Sequence, residues 1–275
     1  MDGFVTTFDI LVDDALFWLT DHAAFVFDGI RAALEGLYDG TLWLLVLPPF
    51  WAIAIVAGLI GWRILGWGFG AGAAVALLAC AAMGLWPETM QTLALVVAAS
   101  VIALAIALPL GVVAGLLPRL DRTLTPALDL IQTLPPYIYL LPSIALMGYG
   151  PATALVATVI VAMPPAIRLT ALGIRQTPNE FLELGQAVGA SRAQMFWKIR
   201  LPFAVPSIMA GVNQSLMMAF GMVVIAGIVG SGGLGETIYG AIRTLDIATS
   251  INASIAIVVL TMLLDRMTQA AARRP

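Results

Sequence analysis

The sequence predicts an all-α fold, a polytopic membrane helical bundle of about seven spans. Three observations carry this. The 275 residues are 61% hydrophobic and only 11% charged, with a mean hydropathy of +0.99. A soluble domain has about 25% charged residues, and at this composition it would expose apolar patches and aggregate. The apolar runs are long and continuous, where a membrane barrel would alternate apolar and polar residues. Lys and Arg crowd into every second connection between those runs, the asymmetry that fixes membrane orientation.

The elements follow in order. Residues 1–40 form an acidic extracytoplasmic segment: Asp2, Asp9, Asp13, Asp14, Asp21, Asp28, Glu35 and Asp39 stand against a single Arg31. Phe4, Phe8, Leu11, Leu16, Phe25, Ile30, Leu34 and Leu37 are interleaved with them. This reads as one or two amphipathic helices on the outer face, either a docking or membrane-surface element or a solvated lid on the bundle edge. It has no basic stretch ahead of an apolar core, so it does not read as a signal peptide. Seven apolar segments then run over 42–61, 65–85, 90–117, 126–147, 152–172, 206–229 and 247–264. A span takes roughly 20 apolar residues. The third segment is longer than that and is expected to tilt or emerge. Residues 41–87 make two accessory spans, and residues 88–270 make the working core. Neither a solenoid repeat nor a matching inverted half is visible.

Charge placement orients the bundle. Arg63, Arg119, Arg122, Arg175, Arg192, Lys198, Arg200 and the tail residues Arg266, Arg273 and Arg274 fall on one side, with Arg168 close to it. The other side has only Arg31 and Arg243. This predicts a cytoplasmic C-terminus and an external N-terminus.

Scarce residues exclude several chemistries. Cys80 is the sole cysteine, in an Ala/Leu run, so no internal disulfide and no cysteine metal cluster is available. His22 is the sole histidine and lies in the acidic segment, far from any candidate nucleophile. Lys198 is the sole lysine, and the residues before it are Ala193, Gln194, Met195, Phe196 and Trp197. A phosphate-binding loop needs Gly-x-x-x-x-Gly-Lys-Ser/Thr, so this chain has no nucleotide site of that class. No catalytic residue, metal site or cofactor of its own is expected, and ATP, if used, is bound by another subunit.

The one long polar interruption is 177–202. Thr177, Pro178 and Glu180 read as the cap, first position and capping-box carboxylate of a helix. Phe181, Leu184 and Val188 then share one face. Gly189 can take the left-handed conformation that ends a helix. Ser191 and Gln194 form a second capping box, opening a helix with Met195 or Phe196 and Ile199 on one side and stopped by Leu201-Pro202. Helices this short need their apolar faces covered. Two readings fit: an interfacial hairpin under its own bundle, or a docking element with apolar knobs inside a basic rim of Arg192, Lys198 and Arg200.

Glu183-Leu184-Gly185, three residues, Gly189, nine residues, then Ile199-Arg200-Leu201-Pro202 resembles the "EAA" loop of binding-protein-dependent ABC importer permeases. The family pattern is Glu-Ala-Ala, three residues, Gly, nine residues, Ile-x-Leu-Pro. The spacing agrees throughout, and the departure is Leu184-Gly185 in place of Ala-Ala. The segments 132–136, 163–170, 209–214, 232–235 and 264–269 are similar to the permeases of proline/glycine betaine importers, so the resemblance covers about Thr89 to Ala270. It implies the MetI-like, type I transmembrane domain of an ABC importer in a bacterial cytoplasmic (inner) membrane. It also implies the partners: two copies of an ATP-binding subunit that holds ATP and Mg, an extracytoplasmic solute-binding protein, and a second copy of this permease, with no nucleic acid. The coupling residues carried over are Glu183, Leu184, Gly185, Gly189, Ala190, Ser191, Ile199, Leu201 and Pro202. The implied cargo is glycine betaine, proline betaine, choline or a similar compatible solute.

Prolines mark the rest of the pathway. Pro135, Pro136 and Pro142 interrupt the fourth segment, and Pro164 and Pro165 the fifth. Broken backbone at membrane depth is tolerated where protein or a wet cavity covers it, though kinks also occur in structural helices. The polar residues nearby give the candidate translocation set: Gln132, Thr133, Tyr137, Tyr139, Asn213 and Met217. Interhelical hydrogen bonding is the competing role for Asn213 and Gln214. Asp129 is expected to sit at a helix N-terminus. The glycine-rich 231–235 stretch is external, either a gate or binding-protein contact or a tight turn. The competing function is an ATP-independent carrier or channel for a small polar solute, but ion-coupled carriers need intramembrane carboxylates, and none lines these spans.

Overall fold

The computed structural model describes residues 10, 11, 14 and 17–272. The side chains of 271 and 272 are not described. Asp2, Phe4, Phe8, Asp9, Asp13, Leu16, Arg273 and Arg274 lie outside the described residues. Among those described the chain is helical, with no strand.

All seven apolar segments are helical, but they are not seven uninterrupted spans. Four helices are long and apolar enough to cross alone: 86–116, 151–175, 192–229 and 247–270. The expected first span, 42–61, straddles a bend. Helix α1 (Ala24–Val46) runs past residue 40, and the chain then turns 92° into α2 (Phe50–Leu65). Pro48-Pro49 is the cause, since a residue before proline is pushed out of the helical region and proline offers no N–H. Helix α3 (Trp67–Ala82) is apolar but only 16 residues long. It folds back on α2 through Gly66, which takes φ +100°. The two helices close tightly because a Cβ on Gly70 would collide with the Gly58 carbonyl oxygen, the small-residue device of membrane hairpins.

The expected fourth span, 126–147, is also broken. Helix α5 (Pro118–Thr133) is amphipathic and largely exposed, with Leu128 its one buried residue. A 106° bend follows, then a 3-10 turn (Pro136–Tyr139) and the eight-residue α6 (Leu140–Met147). Pro135-Pro136 breaks the helix, and Arg119, Asp121, Arg122 and Asp129 make its first part too polar to enter a bilayer. Asp129 is not at a helix N-terminus as expected. It accepts from Arg168 Nη2 at 2.6 Å, and Asp121 pairs with Arg175. Two ion pairs thus strap α5 along α7 (Pro151–Arg175).

The core is α4 (Trp86–Leu116), α7 and α10 (Leu201–Ala226). About two-thirds of the apolar window of the 151–175 span is buried, against 17% for the last helix, so α7 is the centre. Small residues let the helices close. A Cβ on Gly111 would stand 2.6 Å from Thr170 Cβ, and one on Gly115 2.7 Å from Ile174 Cβ, a Gly-x-x-x-Gly contact of the membrane type. Pro164 and Pro165 lie buried inside a continuous α7. The last helices are α11 (Gly233–Thr244) and α12 (Ile247–Ala272), the latter longer than its apolar segment.

Contacts define two ends. One gathers the C-terminal end of α4, α5 and the 177–202 loop. The other gathers α1, the 148–150 turn and 227–246. There Gly150 N donates to Val229 O at 3.0 Å, and buried Tyr38 lies within electrostatic reach of Glu236.

Candidate coupling loop and translocation face

Local chemistry shapes the 177–202 loop. Helix α8 (Asn179–Ala187) starts one residue later than expected, with Pro178 at the cap position. Thr177 does not cap it. The Thr177 hydroxyl is buried and donates to Ile174 O at 3.1 Å, closing the preceding helix instead. The far end is as expected. Gly189 has φ +73°, its N–H donates to Gln186 O at 3.0 Å, and Ala190 N–H donates to Gly185 O at 2.9 Å. This paired closure satisfies carbonyls at the helix end. Ser191 then opens α9 (Arg192–Met195): Gln194 N donates to Ser191 Oγ at 3.3 Å and Ser191 N to Gln194 Oε1 at 2.8 Å.

Leu201-Pro202 does not stop this second helix. The chain widens into a π-turn over Phe196–Arg200 and continues into α10. Pro202 has no N–H for the Lys198 carbonyl, and the widened turn absorbs the break. The second loop helix is therefore the tip of a span, 192–229, that passes into the bundle without a break.

Gly185, one half of the departure from Ala-Ala, faces the second loop helix. A Cβ there would collide with Met195 Sδ and stand 2.9 Å from Ile199 Cδ1, so glycine lets α8 cross the π-turn closely. Arg200 Nη1 donates to Ile174 O at 3.3 Å and closes the neck, and the Phe181 and Phe203 rings meet at 4.8 Å. What the loop does not bury is informative. Leu184 is 60% exposed, Val188 74% and Trp197 65%. Glu183, Arg192 and Lys198 are exposed around them, and Ala190, Ile199 and Leu201 are half-buried beneath. The sequence pattern identified the face with Leu184 and Val188 but gave no reason to single out Trp197.

The pathway candidates separate. Gln132 and Thr133 are exposed at the end of α5, and Thr133 Oγ1 donates to Leu130 O at 3.2 Å. Tyr139 OH donates to Ile131 O at 2.9 Å across the bend, while Tyr137 is exposed. Asn213 is engaged: its Nδ2 donates to Asp265 Oδ1 at 3.0 Å, and its Oδ1 accepts from Thr268 Oγ1 at 2.6 Å. Gln269 Nε2 also donates to Asp265 at 2.7 Å. This cluster clamps α10 to α12. Asp265 was missed as a participant, although a carboxylate late in an apolar run was the available signal. Met217 is partly exposed on α10.

At the opposite end, the 231–235 turn is bound to α4. Gly233 N donates to Gln91 Oε1 at 2.7 Å and Leu234 N to Thr92 Oγ1 at 2.8 Å. A Cβ on Gly227 would collide with the backbone of Gly235. Thr249 N and Oγ1 donate to Asp246 at 3.1 and 2.7 Å, and these bonds hold the Asp246 carboxyl below the usual carboxylate range.

Residues 107–275 match the family described as the binding-protein-dependent transport system inner membrane component. The chain is 42% identical over 265 residues to the glycine betaine/proline betaine transport system permease protein ProW of Escherichia coli strain K12, across 96% of this chain and 75% of that protein. It is 38% identical over 259 residues to the glycine betaine transport system permease protein OpuAB of Bacillus subtilis strain 168, across 94% and 92%. Among solved structures, an inward-facing conformation of the MetNI methionine ABC transporter shares the fold, with a TM-score of 0.59 at 24% identity over 67% of this chain and 94% of that one. The family match, the α-helical fold and the loop geometry agree, and the chain belongs to the binding-protein-dependent transport system inner membrane components, as a multi-pass permease subunit.

Proposed function

We propose that this permease carries glycine betaine, proline betaine or choline-like compatible solutes inward, driven by ATP hydrolysis on a separate subunit. The observation that supports the coupling role is the 177–202 loop, which leaves Leu184, Val188 and Trp197 exposed on a locally capped scaffold. Its second helix is continuous with a span, so a push on the loop is a push on the bundle. The similarity to ProW and OpuAB supports the solute class.

In the proposed assembly two permeases meet two ATP-binding subunits, and an extracytoplasmic binding protein delivers solute. ATP and Mg stay with the ATP-binding subunits. The loop end is cytoplasmic, because Arg119, Arg122, Arg175, Arg192, Lys198 and Arg200 lie there while the other end has Arg31 and Arg243. Arg31 is itself neutralised by Glu35 at 2.8 Å. The N-terminal part is then external and the C-terminus internal.

Co-purification with the ATP-binding subunit tests this reading. Leu184→Asp with Val188→Asp should remove that subunit from the purified complex and abolish uptake of labelled glycine betaine, while the permease still inserts. Undiminished co-purification and uptake would overturn it.

A further inference from the structure

Two long helices present different faces at membrane depth. On α4 the large side chains left exposed are Val101, Ile106, Leu110, Val113 and Leu116, aliphatic as contact with acyl chains requires. On α10 the exposed residues from 210 to 224 are Ala210, Gln214, Met217, Met218, Gly221 and Val224, and Gln214, Met217, Met218 and Gly221 fall at the i, i+3, i+4, i+7 spacing of one helical face.

Gln214 lies near the midpoint of Leu201–Ala226, and its side-chain amide makes no hydrogen bond to any described residue. Facing lipid, its amide would have no partner, so water, solute or protein must face it. Gly221 has nothing within 4 Å of where a Cβ would stand. Neither helix packing nor a turn requires glycine there, and what it provides is open width on an outward face. Asn213, next in sequence, is spent on Asp265 and Thr268. The Pro136–Tyr139 turn packs against α10 and brings an exposed Tyr137 to the same helix.

We infer that the Gln214, Met217, Met218 and Gly221 face of α10 is the wall along which solute crosses, with Gln214 a solute-contact residue and Gly221 the aperture. This rests on the importer reading above. The chemistry fits a small zwitterion. One amide and two polarisable thioethers offer weak contacts to both of its charges, whereas a fixed charge would hold one end and slow release.

The buried Cys80 is the sole native cysteine, so single added cysteines can be read cleanly. In vesicles holding the whole importer, Gln214→Cys, Met218→Cys and Gly221→Cys are compared with Ile106→Cys on α4, using a water-soluble cationic thiosulfonate. The α10 positions should react about tenfold faster or more than Ile106→Cys, because water reaches a pathway and not acyl chains. Gly221→Trp should abolish uptake while the ATP-binding subunit still co-purifies. Equally slow reaction on both helices would make this face lipid-exposed and overturn the inference. A spontaneous disulfide between two copies of Gly221→Cys, with no reagent access, would make it a dry seam between permeases and also overturn it. Glycine betaine uptake by the unmodified importer is measured in parallel. Its absence defeats the importer reading, whereas normal uptake with unreactive cysteines defeats this inference alone.

Discussion

The two ends of the molecule rely on bonds of different reach. At the loop end, the bonds that form the turn are local: Gly189 to Gln186, Ala190 to Gly185, and the Ser191–Gln194 pair. At the other end, the 227–236 turn is held by Gln91 and Thr92, 142 residues away, and by Gly150 on Val229. The loop is closed by its own bonds and leaves Leu184, Val188 and Trp197 outward. The far turn has local bonds too, Gly232 N to Glu236 Oε2 at 2.8 Å and Ser231 Oγ to Ala226 O at 3.0 Å, but it is also anchored on α4. Glycine is used at both ends, but against different neighbours: a flexible thioether at Gly185 and rigid backbone at Gly227.

That contrast can be broken experimentally. The largest effect is expected from Gly227→Ala, where a methyl group meets the Gly235 backbone. It should cost about 3 kcal/mol or more, seen as low yield and a lowered Tm in detergent. Gly189→Val comes next. Holding a β-branched residue at φ +73° costs about 1–2 kcal/mol, and the protein should insert, melt slightly lower and lose uptake coupled to ATP hydrolysis. Ser191→Ala removes the cap bond from Gln194 N and should cost about 1 kcal/mol, with a partial loss of co-purified ATP-binding subunit. The smallest effect belongs to Gly185→Ala, which restores the alanine of the family pattern. Met195 can swing its thioether aside, so Tm and uptake should stay near the unmodified values, within about 0.5 kcal/mol. If Gly185→Ala damaged the fold as much as Gly227→Ala, the contrast between a locally closed loop and a turn anchored on the bundle would fail.

Legibility in the sequence followed the same division. The Ser191 capping box and the Gly189 helix end were readable because each is decided within a few residues. Pro202 misled, because a proline in the first turn of a helix is tolerated and a π-turn took up the missing bond. Thr177 misled because its hydroxyl had a competing local acceptor, Ile174 O. Asp129 could not be read correctly, since its partner Arg168 is 39 residues away. The doubled proline at 135–136 signalled a break, but not that it would turn the chain by about a right angle, and the break at Pro48-Pro49 inside the first apolar segment went unread.

By itself the sequence determined the solvent of this protein, its helical class and the absence of a phosphate-binding loop. These depend on composition and on patterns shorter than a helix. It also determined the Gly189 helix end and the Ser191 cap within the loop. Only the tertiary structure decided which amide on α10 is free. Asn213 and Gln214 are adjacent and chemically alike, but one faces Asp265 and the other faces outward. A turn of about 100° between neighbours on a helix separates a clamp from a wall, and only the position of α12 says which is which.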